Sequence, residues 1–487
     1  YRVAYKLSAA RLFTSLVLRS RSTEVLPTLG PSSSSPLKIH SLFQAGADIF
    51  RLNFSHGSHE DHRKRVFHIR QYEKRLGRPI GILGDLQGPK LRIGNFRKPF
   101  VILKNNQKFI LDLENRLGDE HRVLLPHPEI FRSVKKNTRI LIDDGKIILS
   151  IEKIFSNKIQ TEVINGGRIS NKKGVNIPDT FIKLSSLTSK DIKDLELCLN
   201  LSLDYVALSF VQKAKDLIDL KKYIGDQTSI MAKFEKPLAI KRMDDILSHC
   251  DAAMVARGDL GVEMPPEEVP ILQKRLVDRS REHGKPVVVA TQMLDSMVNA
   301  PSPTRAEASD VATAVFDAAD SLMLSAETAS GKFPVESVQI MDRIIRGVEF
   351  DPSYRQILDS KRIKLQQTTS DAISSAASQV VKTVEAKAIF TYTRSGATAK
   401  RAARERPAVP IIGLSPDRLT ARQLALIWGV HSIHALEPKS FSGMIDNACY
   451  LAKSEKIVKK GDYVVITAGA PIGVSGSTNN LRIAKIS

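Results

Sequence analysis

Eight short apolar runs, separated by segments with helical periodicity, limit the possible folds of this chain more than any other feature. The runs cover residues 25–29, 48–55, 80–86, 205–210, 229–235, 252–259, 286–293 and 321–327. The helical segments between them include residues 267–283 and 335–347. Repeated strand–helix units indicate an α/β protein with a parallel sheet, and eight units predict a closed TIM (β/α)8 barrel.

The segment between the third and fourth predicted strands has a different pattern. It contains alternating runs at residues 100–103, 108–113, 139–142, 146–151 and 159–164, with a hairpin turn (DDGK) at 143–146. We therefore predict a barrel formed by residues 24–88 and 175–350, interrupted by a small inserted β-barrel lid domain at 89–174. Residues 351–487 are predicted to form a C-terminal α/β domain, with a helix at 370–384 and strands at 388–393, 409–414, 431–434 and 462–468.

The composition narrows the functional classes. The net charge is +21, which would attract polyanions, so a basic nucleic-acid-binding protein is one alternative. However, the basic residues are scattered, and no RNP motif, zinc finger or basic heptad array occurs, so we expect no nucleic-acid partner. No apolar run approaches the length needed to span a bilayer, so we expect no membrane partner either. Three widely spaced cysteines, Cys198, Cys250 and Cys449, indicate neither a disulfide framework nor a zinc site.

The first 23 residues differ from the rest of the chain. They are rich in arginine and serine and contain no acidic residue before Glu24. This composition is typical of an organellar transit peptide, although an unrelated extension or a sequence artefact would look the same. We expect a cytoplasmic protein, with a mitochondrion or plastid as the alternative. Pro27 is also unusual, because proline removes a donor from a central strand.

Polar residues end six of the eight predicted strands. The carboxyl ends of barrel strands are where such barrels place their chemistry. Because alternate residues of a strand share a face, Arg51, Asn53 and Ser55 should point together, as should Lys233 and Glu235. The remaining polar strand ends are Asp85, Asp259, Thr291 and Glu327. So many polar groups are costly to assemble without a function.

These residue types suit chemistry on a phosphate. Glu235 and Asp259 are hard oxygen ligands for Mg²⁺ or Mn²⁺, and Lys233 offers a cation where negative charge develops. Arg51 offers a forked donor to phosphate, and Gly258 lets backbone N–H groups approach an anion. The set predicts metal-assisted phosphoryl transfer or enolate chemistry. The carboxylate pair alone would also fit an aldolase or glycosidase barrel.

Five motifs resemble those of the pyruvate kinase family, in the same order along the chain. They are RLNFSHG at 51–57, GDLQGPKLR at 84–92, KFEKP at 233–237, MVARGDLG at 254–261 and ATQML at 290–294. The resemblance extends over residues 28–486. It implies transfer of a phosphoryl group from phosphoenolpyruvate to ADP, under an inserted domain that closes on the nucleotide.

The resemblance also implies roles for single residues. Lys233, Thr291 and Arg51 would be catalytic, and Gly258 and Asp259 would hold the substrate with them. Glu235 and Asp259 would hold the divalent metal. The nucleotide would contact Arg51, Asn53, His56, Arg92 and Lys173. In the C-terminal domain the turn TRSGAT at 393–398 resembles a sugar-phosphate loop, which makes Thr393, Ser395 and Thr398 candidate effector ligands, with a second loop at 469–478.

A second cation of the family is expected to be dispensable here. In many members the residues that match Asn53, Ser55, Asp85 and the backbone of Leu86 bind K⁺. In this sequence Lys90 stands where K⁺-requiring members carry glutamate, and its ammonium can supply the same charge.

We further expect a homotetramer, as well as a phosphorylated effector. A different metal-dependent phosphoenolpyruvate barrel, such as a lyase, and an inactive relative remain alternatives.

Overall fold

The computed structural model describes residues 18–178, 180–182, 185–361, 363, 367–438, 440–471 and 478–487. In chain order its strands are β1 Glu24–Leu29, β2 Ile49–Asn53, β3 Gly81–Asp85, β4 Phe100–Leu103, β5 Lys108–Asp112, β6 Arg122–Leu124, β7 Arg139–Ile142, β8 Ile147–Ile154, β9 Lys158–Asn165, β10 Gly167–Ser170, β11 Val175–Asn176, β12 Tyr205–Leu208, β13 Ser229–Phe234, β14 Ala252–Ala256, β15 Val287–Ala290, β16 Ser321–Leu324, β17 Ile389–Tyr392, β18 Ile411–Ser415, β19 Val430–His434, β20 Tyr463–Gly469 and β21 Thr478–Lys485.

The helices alternate with the strands outside the inserted domain. They are α1 Pro36–Ala45, α2 His59–Leu76, α3 Pro128–Ser133, α4 Ser189–Asn200, α5 Ala214–Ile224, α6 Pro237–Lys241, α7 Met243–Ser248, α8 Arg257–Glu263, α9 Val269–Glu282, α10 Arg305–Phe316, α11 Ala326–Ala329, α12 Pro334–Glu349, α13 Pro352–Ser360, α14 Thr369–Val384, α15 Ala397–Arg404, α16 Arg418–Gln423 and α17 Phe441–Ser454. Short 3-10 turns occur at Pro266–Glu268, Asp295–Val298 and Leu424–Leu426. None of the helices that the structure describes is long and apolar enough to cross a membrane.

The eight predicted barrel strands close on themselves, which confirms the (β/α)8 prediction. Around the ring their order is β1, β16, β15, β14, β13, β12, β3 and β2. The interior is a packed core and not a pore, as expected for eight strands. It is filled by Leu26, Ile49, Leu83, Tyr205, Ala207, Met231, Ala252, Met254, Val288, Ala290 and Met323, together with Leu426 from the C-terminal domain.

Pro27 does lie in a barrel strand, despite the expected conflict. Its Cα partner is Leu324 on β16, and the paired register with β2 begins one residue later, at Thr28. The N–H of Val25, two residues before Pro27 on the same strand edge, donates to the Asp48 carboxylate at 3.0 Å. The proline therefore sits just before the paired stretch with β2, where a missing donor is tolerated.

The described part of the predicted N-terminal extension is not separate from the barrel. Residues 1–17, and with them most of the predicted transit peptide, lie outside the described residues. Leu18 packs against the core of the C-terminal domain, and from Arg19 onward the chain contacts the amino end of the barrel. The Arg21 side chain is fully buried and contacts Asp48 at 2.7 Å and Asp342 at 2.8 Å. Arg19 also pairs with Asp48, at 3.0 Å.

The inserted segment folds on its own small core. A sheet of six strands has the order β11, β7, β8, β9, β5 and β6, and a separate ribbon pairs β10 with β4. Strand pairing therefore gives a sheet and a ribbon where a single small β-barrel was predicted. The core consists of alternate residues of these strands, such as Phe109, Leu111 and Leu149, which are fully buried. The two segments that connect this domain to the barrel follow β3 and β11, and residues of both line the grooves at the barrel's carboxyl end.

The C-terminal domain has a five-stranded sheet in the order β19, β18, β17, β20 and β21. Its first four strands are parallel and match the predicted ones, whereas β21 is antiparallel to β20 and was not predicted. This domain closes the amino end of the barrel. Leu426 enters the barrel core, and the Tyr205 hydroxyl donates to the carbonyl of Gln423 at 3.0 Å.

Buried charges at this end of the barrel generate a stability prediction. Replacing Arg21 with glutamine leaves two buried carboxylates, Glu24 and Asp48, with fewer cationic partners. Removing one partner of a buried ion pair costs about 3–5 kcal/mol. We expect the free energy of unfolding, measured by urea denaturation, to fall by this amount. The matched control is Lys64→Gln, which breaks an exposed pair with Glu60 and should change stability by less than about 1 kcal/mol. Equal small effects in both variants would contradict the prediction.

Candidate active site

Several predicted strands end earlier than the alternation suggested. Strand β14 stops at Ala256, so that Gly258 and Asp259 lie in the first turn of α8 and not on a strand. Strand β15 stops at Ala290, and Thr291 follows it with a φ of 72°. Glu327 lies in α11, where its carboxylate accepts from the N–H groups of Leu294 and Ser325. Glu327 therefore holds loops together.

Arg51 is fixed by two neighbouring strands. Its guanidinium donates to Asp85 Oδ2 at 2.7 Å and to Thr28 Oγ1 at 3.0 Å. Both Arg51 and Asp85 are buried. Burial raises the pKa of Asp85, but the charges of Lys233 and Arg51 outweigh this effect and lower the pKa overall. Asp85 is therefore a stable anion that orients the arginine fork.

Lys233 lies at the centre of the buried charges. Its ammonium contacts Glu235 Oε1 at 2.8 Å and Asp85 Oδ1 at 3.2 Å, and it donates to Ser209 Oγ at 2.7 Å. Burial lowers the pKa of Lys233, but the nearby carboxylates of Asp85 and Glu235 more than offset this, so the pKa is raised overall. The site thus holds a permanent cation, 8% exposed, at the carboxyl end of the barrel.

The two carboxylates of Glu235 and Asp259 carry more negative charge than the neighbouring ammonium of Lys233 can balance. Burial raises the pKa of Glu235, and repulsion from Asp259 raises it further against the attraction of Lys233. The other Glu235 oxygen accepts from the Phe210 N–H at 2.7 Å. Among the described residues, no group of three or more His, Cys, Asp or Glu side chains forms a complete metal cage. Two hard carboxylates with an excess of negative charge fit a Mg²⁺ ion that keeps waters or substrate oxygens as its other ligands.

These groups line one cleft of about 220 Å³ between the barrel and the inserted domain. The structure brings most of the sequence-predicted residues together there. The cleft is lined by Arg51, Asn53, Ser55, His56, Asp85, Leu86, Lys90, Arg92, Lys233, Glu235 and Asp259, with Gln87, Ser209 and Phe210. Lys90 is exposed, and it also lines the neighbouring groove at the base of the inserted domain.

Thr291 and Gly258 form a pair beside this cleft. The Gly258 N–H donates to Thr291 Oγ1 at 2.7 Å, and that hydroxyl donates to the Ala290 carbonyl at 2.6 Å. The N–H of Gly258, a residue expected to hold the substrate, thus donates to the threonine in this structure. A Cβ at Gly258 would come within 3.3 Å of Thr291 Oγ1, so a side chain there would press on the hydroxyl.

The two residues expected from the inserted domain differ in position. Arg92 lines the cleft, and its guanidinium donates to the Lys172 carbonyl at 2.9 Å. The Lys173 ammonium pairs with Asp143 at 2.9 Å. Lys173 is not among the residues that line the cleft. Of these two residues, only Arg92 lines the cleft in this conformation.

Sequence analysis missed three residues that shape the site. Ser209 accepts from Lys233 and donates to the Leu86 carbonyl at 2.8 Å. It follows Tyr205 and Ala207 on the inward face of the fourth predicted strand, so alternation alone could have found it. Arg257 contacts Asp310 at 2.7 Å and donates to the Thr291 carbonyl at 2.7 Å, which braces the left-handed turn. The third residue is Thr28, whose hydroxyl accepts from Arg51. No local sequence pattern predicts this contact.

The candidate effector turn is built from the start of α15. Thr393 is buried, and its N–H donates to the Leu414 carbonyl, whereas Ser395 is exposed. The Thr398 and Thr478 hydroxyls are 2.7 Å apart. The second predicted loop falls largely on residues 472–477, which lie outside the described residues.

Comparison with known proteins identifies the family of this chain. The family model described as the pyruvate kinase barrel domain matches residues 20–338, and the pyruvate kinase alpha/beta domain matches residues 371–484. A pyruvate kinase of Methylorubrum extorquens is 48% identical over 466 residues, which cover 96% of this chain and 98% of that protein. One of Geobacillus stearothermophilus is 41% identical, covering 96% of this chain and 81% of that protein.

A solved structure gives the same result for the fold. The crystal structure of a pyruvate kinase from Cryptosporidium parvum superimposes with a TM-score of 0.91 at 32% identity, and the match covers 96% of each chain. Sequence identity, domain order and barrel topology thus agree over nearly the whole length. The chain belongs to the pyruvate kinase family.

Proposed function

We propose that the cleft transfers the phosphoryl group of phosphoenolpyruvate to ADP, giving pyruvate and ATP, with Lys233 as the central catalytic cation. The enzyme is a phosphotransferase of glycolysis, as its relatives are. The observation that best supports the assignment to Lys233 is its position between Asp85 and Glu235 at the carboxyl end of the barrel. A fixed cation there can interact with charge as it moves from the substrate phosphate to the enolate oxygen.

The other residues of the cleft take complementary parts. An oxygen of the ADP β-phosphate attacks phosphorus while the bond between phosphorus and the enolate oxygen breaks. Arg51, oriented by Asp85, would donate to the transferring phosphate oxygens. Lys233 would stabilise the enolate oxygen left behind. The Thr291 hydroxyl would lie in the path of the proton that converts the enolate carbon to the methyl group of pyruvate.

Glu235 and Asp259 would hold a divalent metal, Mg²⁺ or Mn²⁺. Bound there, the ion supplies a Lewis acid that neutralises phosphate and enolate oxygens. Burial and repulsion from Asp259 raise the pKa of Glu235, and a divalent cation held between the two carboxylates would relieve that repulsion. Nucleotide phosphates would contact Arg51, Asn53, His56 and Arg92, and Lys173 would join them only if its pair with Asp143 opened.

The role of Lys233 is tested by Lys233→Met. A cation used mainly in the transition state should lower kcat by far more than it raises KM, and we expect a loss of kcat beyond tenfold. Steady-state assays of pyruvate formation with and without ADP measure this. Lys241→Met, which changes an exposed lysine on α6, is the control and should keep normal turnover. A Lys233→Met enzyme that kept a tenth of the wild-type kcat would show that the assigned role is wrong.

The metal site is tested by Glu235→Gln and Asp259→Asn. Each amide keeps the size of the side chain and removes its charge. We expect the Mg²⁺ concentration for half-maximal activity, and the Kd for Mn²⁺ measured by electron paramagnetic resonance, to rise at least tenfold. Glu267→Gln, at an exposed carboxylate beyond α8, should leave both values unchanged. Normal metal affinity in both amide variants would rule out this assignment.

We also infer that the enzyme works without K⁺. Three of the four expected K⁺ ligands already have donors: the Asn53 side chain accepts from the Ser55 N–H, the Leu86 carbonyl accepts from Ser209, and Asp85 contacts Arg51 and Lys233. Lys90 lines the same cleft. A second unit charge about 4 Å away would cost about 4 kcal/mol at an intermediate effective dielectric. These contacts, together with the ammonium of Lys90, support a reaction that does not require K⁺.

An assay with tetramethylammonium as the only monovalent cation tests this inference. We expect KCl, added at constant ionic strength, to change kcat by less than about twofold. Lys90→Glu should create K⁺ dependence because it replaces the ammonium by a carboxylate. Lys104→Glu makes the same charge change at an exposed position of the inserted domain and should not. Tenfold stimulation of the wild type by KCl would contradict the inference.

A phosphorylated metabolite is proposed to bind at Thr393, Ser395 and Thr398 and to shift the affinity for phosphoenolpyruvate. Coupling of this kind is typically about 1–3 kcal/mol, or 5–150-fold. A screen of sugar phosphates and nucleoside monophosphates should find such a shift in half-saturation. Ser395→Asp should abolish it by charge repulsion, whereas Ser442→Asp, at an exposed serine of α17, should not. No shift with any compound would count against the site.

Other expectations stay predictions. They are the homotetrameric assembly, the cytoplasmic location with its organellar alternative, and the lack of a nucleic-acid partner.

A further inference from the structure

A second group of cations lies at the amino end of the barrel, far from the cleft. A small cavity separates the end of α9 and the start of β15 from helix α15 of the C-terminal domain. Five of the side chains that line it are cationic, and they are Arg281, Lys285, Lys400, Arg404 and Arg406. Asp320 is the only carboxylate in the described lining. The cavity therefore has an excess of positive charge.

Two of the five cations are already neutralised. Arg406 pairs with Asp320 at 3.1 Å, and its guanidinium lies 4.9 Å from the centre of the Trp428 ring. Arg404 pairs with Asp371 at 2.9 Å and with Glu405 at 3.2 Å. Asp320, Asp371 and Glu405 therefore already have cationic partners. The other three cations need a different partner.

Arg281 is buried without full hydrogen bonding. Its side chain is 4% exposed, one terminal nitrogen donates to the Arg404 carbonyl at 3.2 Å, and its Nε has no partner in the described structure. Burial and the positive charge of Arg406 together lower the pKa of Arg281 to about 10. A buried donor without an acceptor is costly, so an acceptor is expected to enter the cavity.

Lys400 and Lys285 also lack a partner for their ammonium groups among the described residues. Within the described ranges, neither side chain makes a hydrogen bond or an ion pair. Lys400 is half-buried, and burial lowers its pKa, an effect to which the charge of Lys285 adds. The carboxylate of Asp251 acts in the opposite direction, but it is held by the N–H of Ile230 at 2.8 Å.

We propose that this cavity binds one small inorganic anion, which joins the catalytic barrel to the C-terminal domain. Arg281 would contact it from α9, Lys285 from the turn before β15, and Lys400 from α15. The cavity has room for about one water-sized sphere, at about 10 Å³. That volume suits a monatomic anion such as chloride, or one oxygen of a phosphate ion that stays partly open to solvent, and it is too small to enclose a nucleotide or a sugar phosphate.

The position of the anion links it to both functional regions. Helix α15 begins just after the candidate effector turn, and it carries Lys400 in its first half and Arg404 at its end, both of which line the cavity. Lys285 immediately precedes Pro286 and β15, the strand that ends next to Thr291. An anion between them would fix the C-terminal domain on the barrel without touching substrate.

Thermal unfolding in a background of sodium methanesulfonate, at constant ionic strength, tests the proposal. Chloride and inorganic phosphate are added in separate titrations, which distinguishes the two anion sources. For at least one of them we expect a saturable rise of the midpoint by about 2 °C at tenfold the half-saturating concentration. Because phosphate can also bind in the cleft, the decisive quantity is the difference between the wild type and Lys400→Gln.

Lys400→Gln should remove the rise, and without added anion it should be at least as stable as the wild type because it relieves repulsion. Lys400→Arg should keep the rise. Lys387→Gln, at an exposed lysine of the same domain, should behave as the wild type. An equal rise in the wild type and Lys400→Gln would overturn the proposal, as would the absence of any saturable rise.

A crystal grown with sodium bromide gives a direct result that does not depend on the variants. We expect an anomalous peak within hydrogen-bond distance of Arg281 Nε and Lys400 Nζ. If chloride gives the rise in unfolding midpoint, a cavity without a peak, in crystals where bromide occupies other sites, would overturn the proposal; if only phosphate gives it, the same outcome follows from a cavity without phosphate density in crystals soaked in phosphate.

Discussion

Two buried cations and three carboxylates share the carboxyl end of the barrel, and the arrangement of the whole cleft depends on their mutual neutralisation. Lys233 contacts Asp85 and Glu235, and Arg51 contacts Asp85. A charge buried without a partner costs several kcal/mol, so none of these residues is independent of the others. The sum of these charges also favours metal binding, because the negative charge of Glu235 and Asp259 that Lys233 leaves unbalanced would attract a divalent cation.

The backbone around the cleft keeps this arrangement rigid. Phe210 has a φ of 57° and donates its N–H to Glu235, and Thr291 has a φ of 72° and contacts the N–H of Gly258. Left-handed residues with side chains are uncommon and are retained where the surroundings stabilise them. Arg257 supplies that support at Thr291, with a guanidinium that is itself anchored by Asp310. The precision of the site thus depends on residues that would not contact substrate.

Much of the fold and part of the site could be predicted from the sequence. The period of two placed Lys233 and Glu235 on one face, and repeated strand–helix units predicted the barrel. Alternation failed where strands ended early, since it cannot show that the chain turns at Ala256 or Ala290. Arg21 was grouped with an extension because its partner Asp342 is 321 residues away along the chain. Contacts of that range leave no local pattern. Strand β21 was missed because its inward and outward residues alternate poorly.

The plug formed by Leu426 at the amino end of the barrel affects how this architecture could change during evolution. The interior of the barrel includes a side chain from another domain, and Tyr205, the first residue of β12, donates a hydrogen bond to the Gln423 carbonyl. Deleting the C-terminal domain would therefore expose the amino end of the barrel core to water. Exchange of this domain between relatives is possible only if the incoming domain brings its own plug. Gain or loss of regulation in such a lineage should therefore come from changes in loops, and not from loss of the domain.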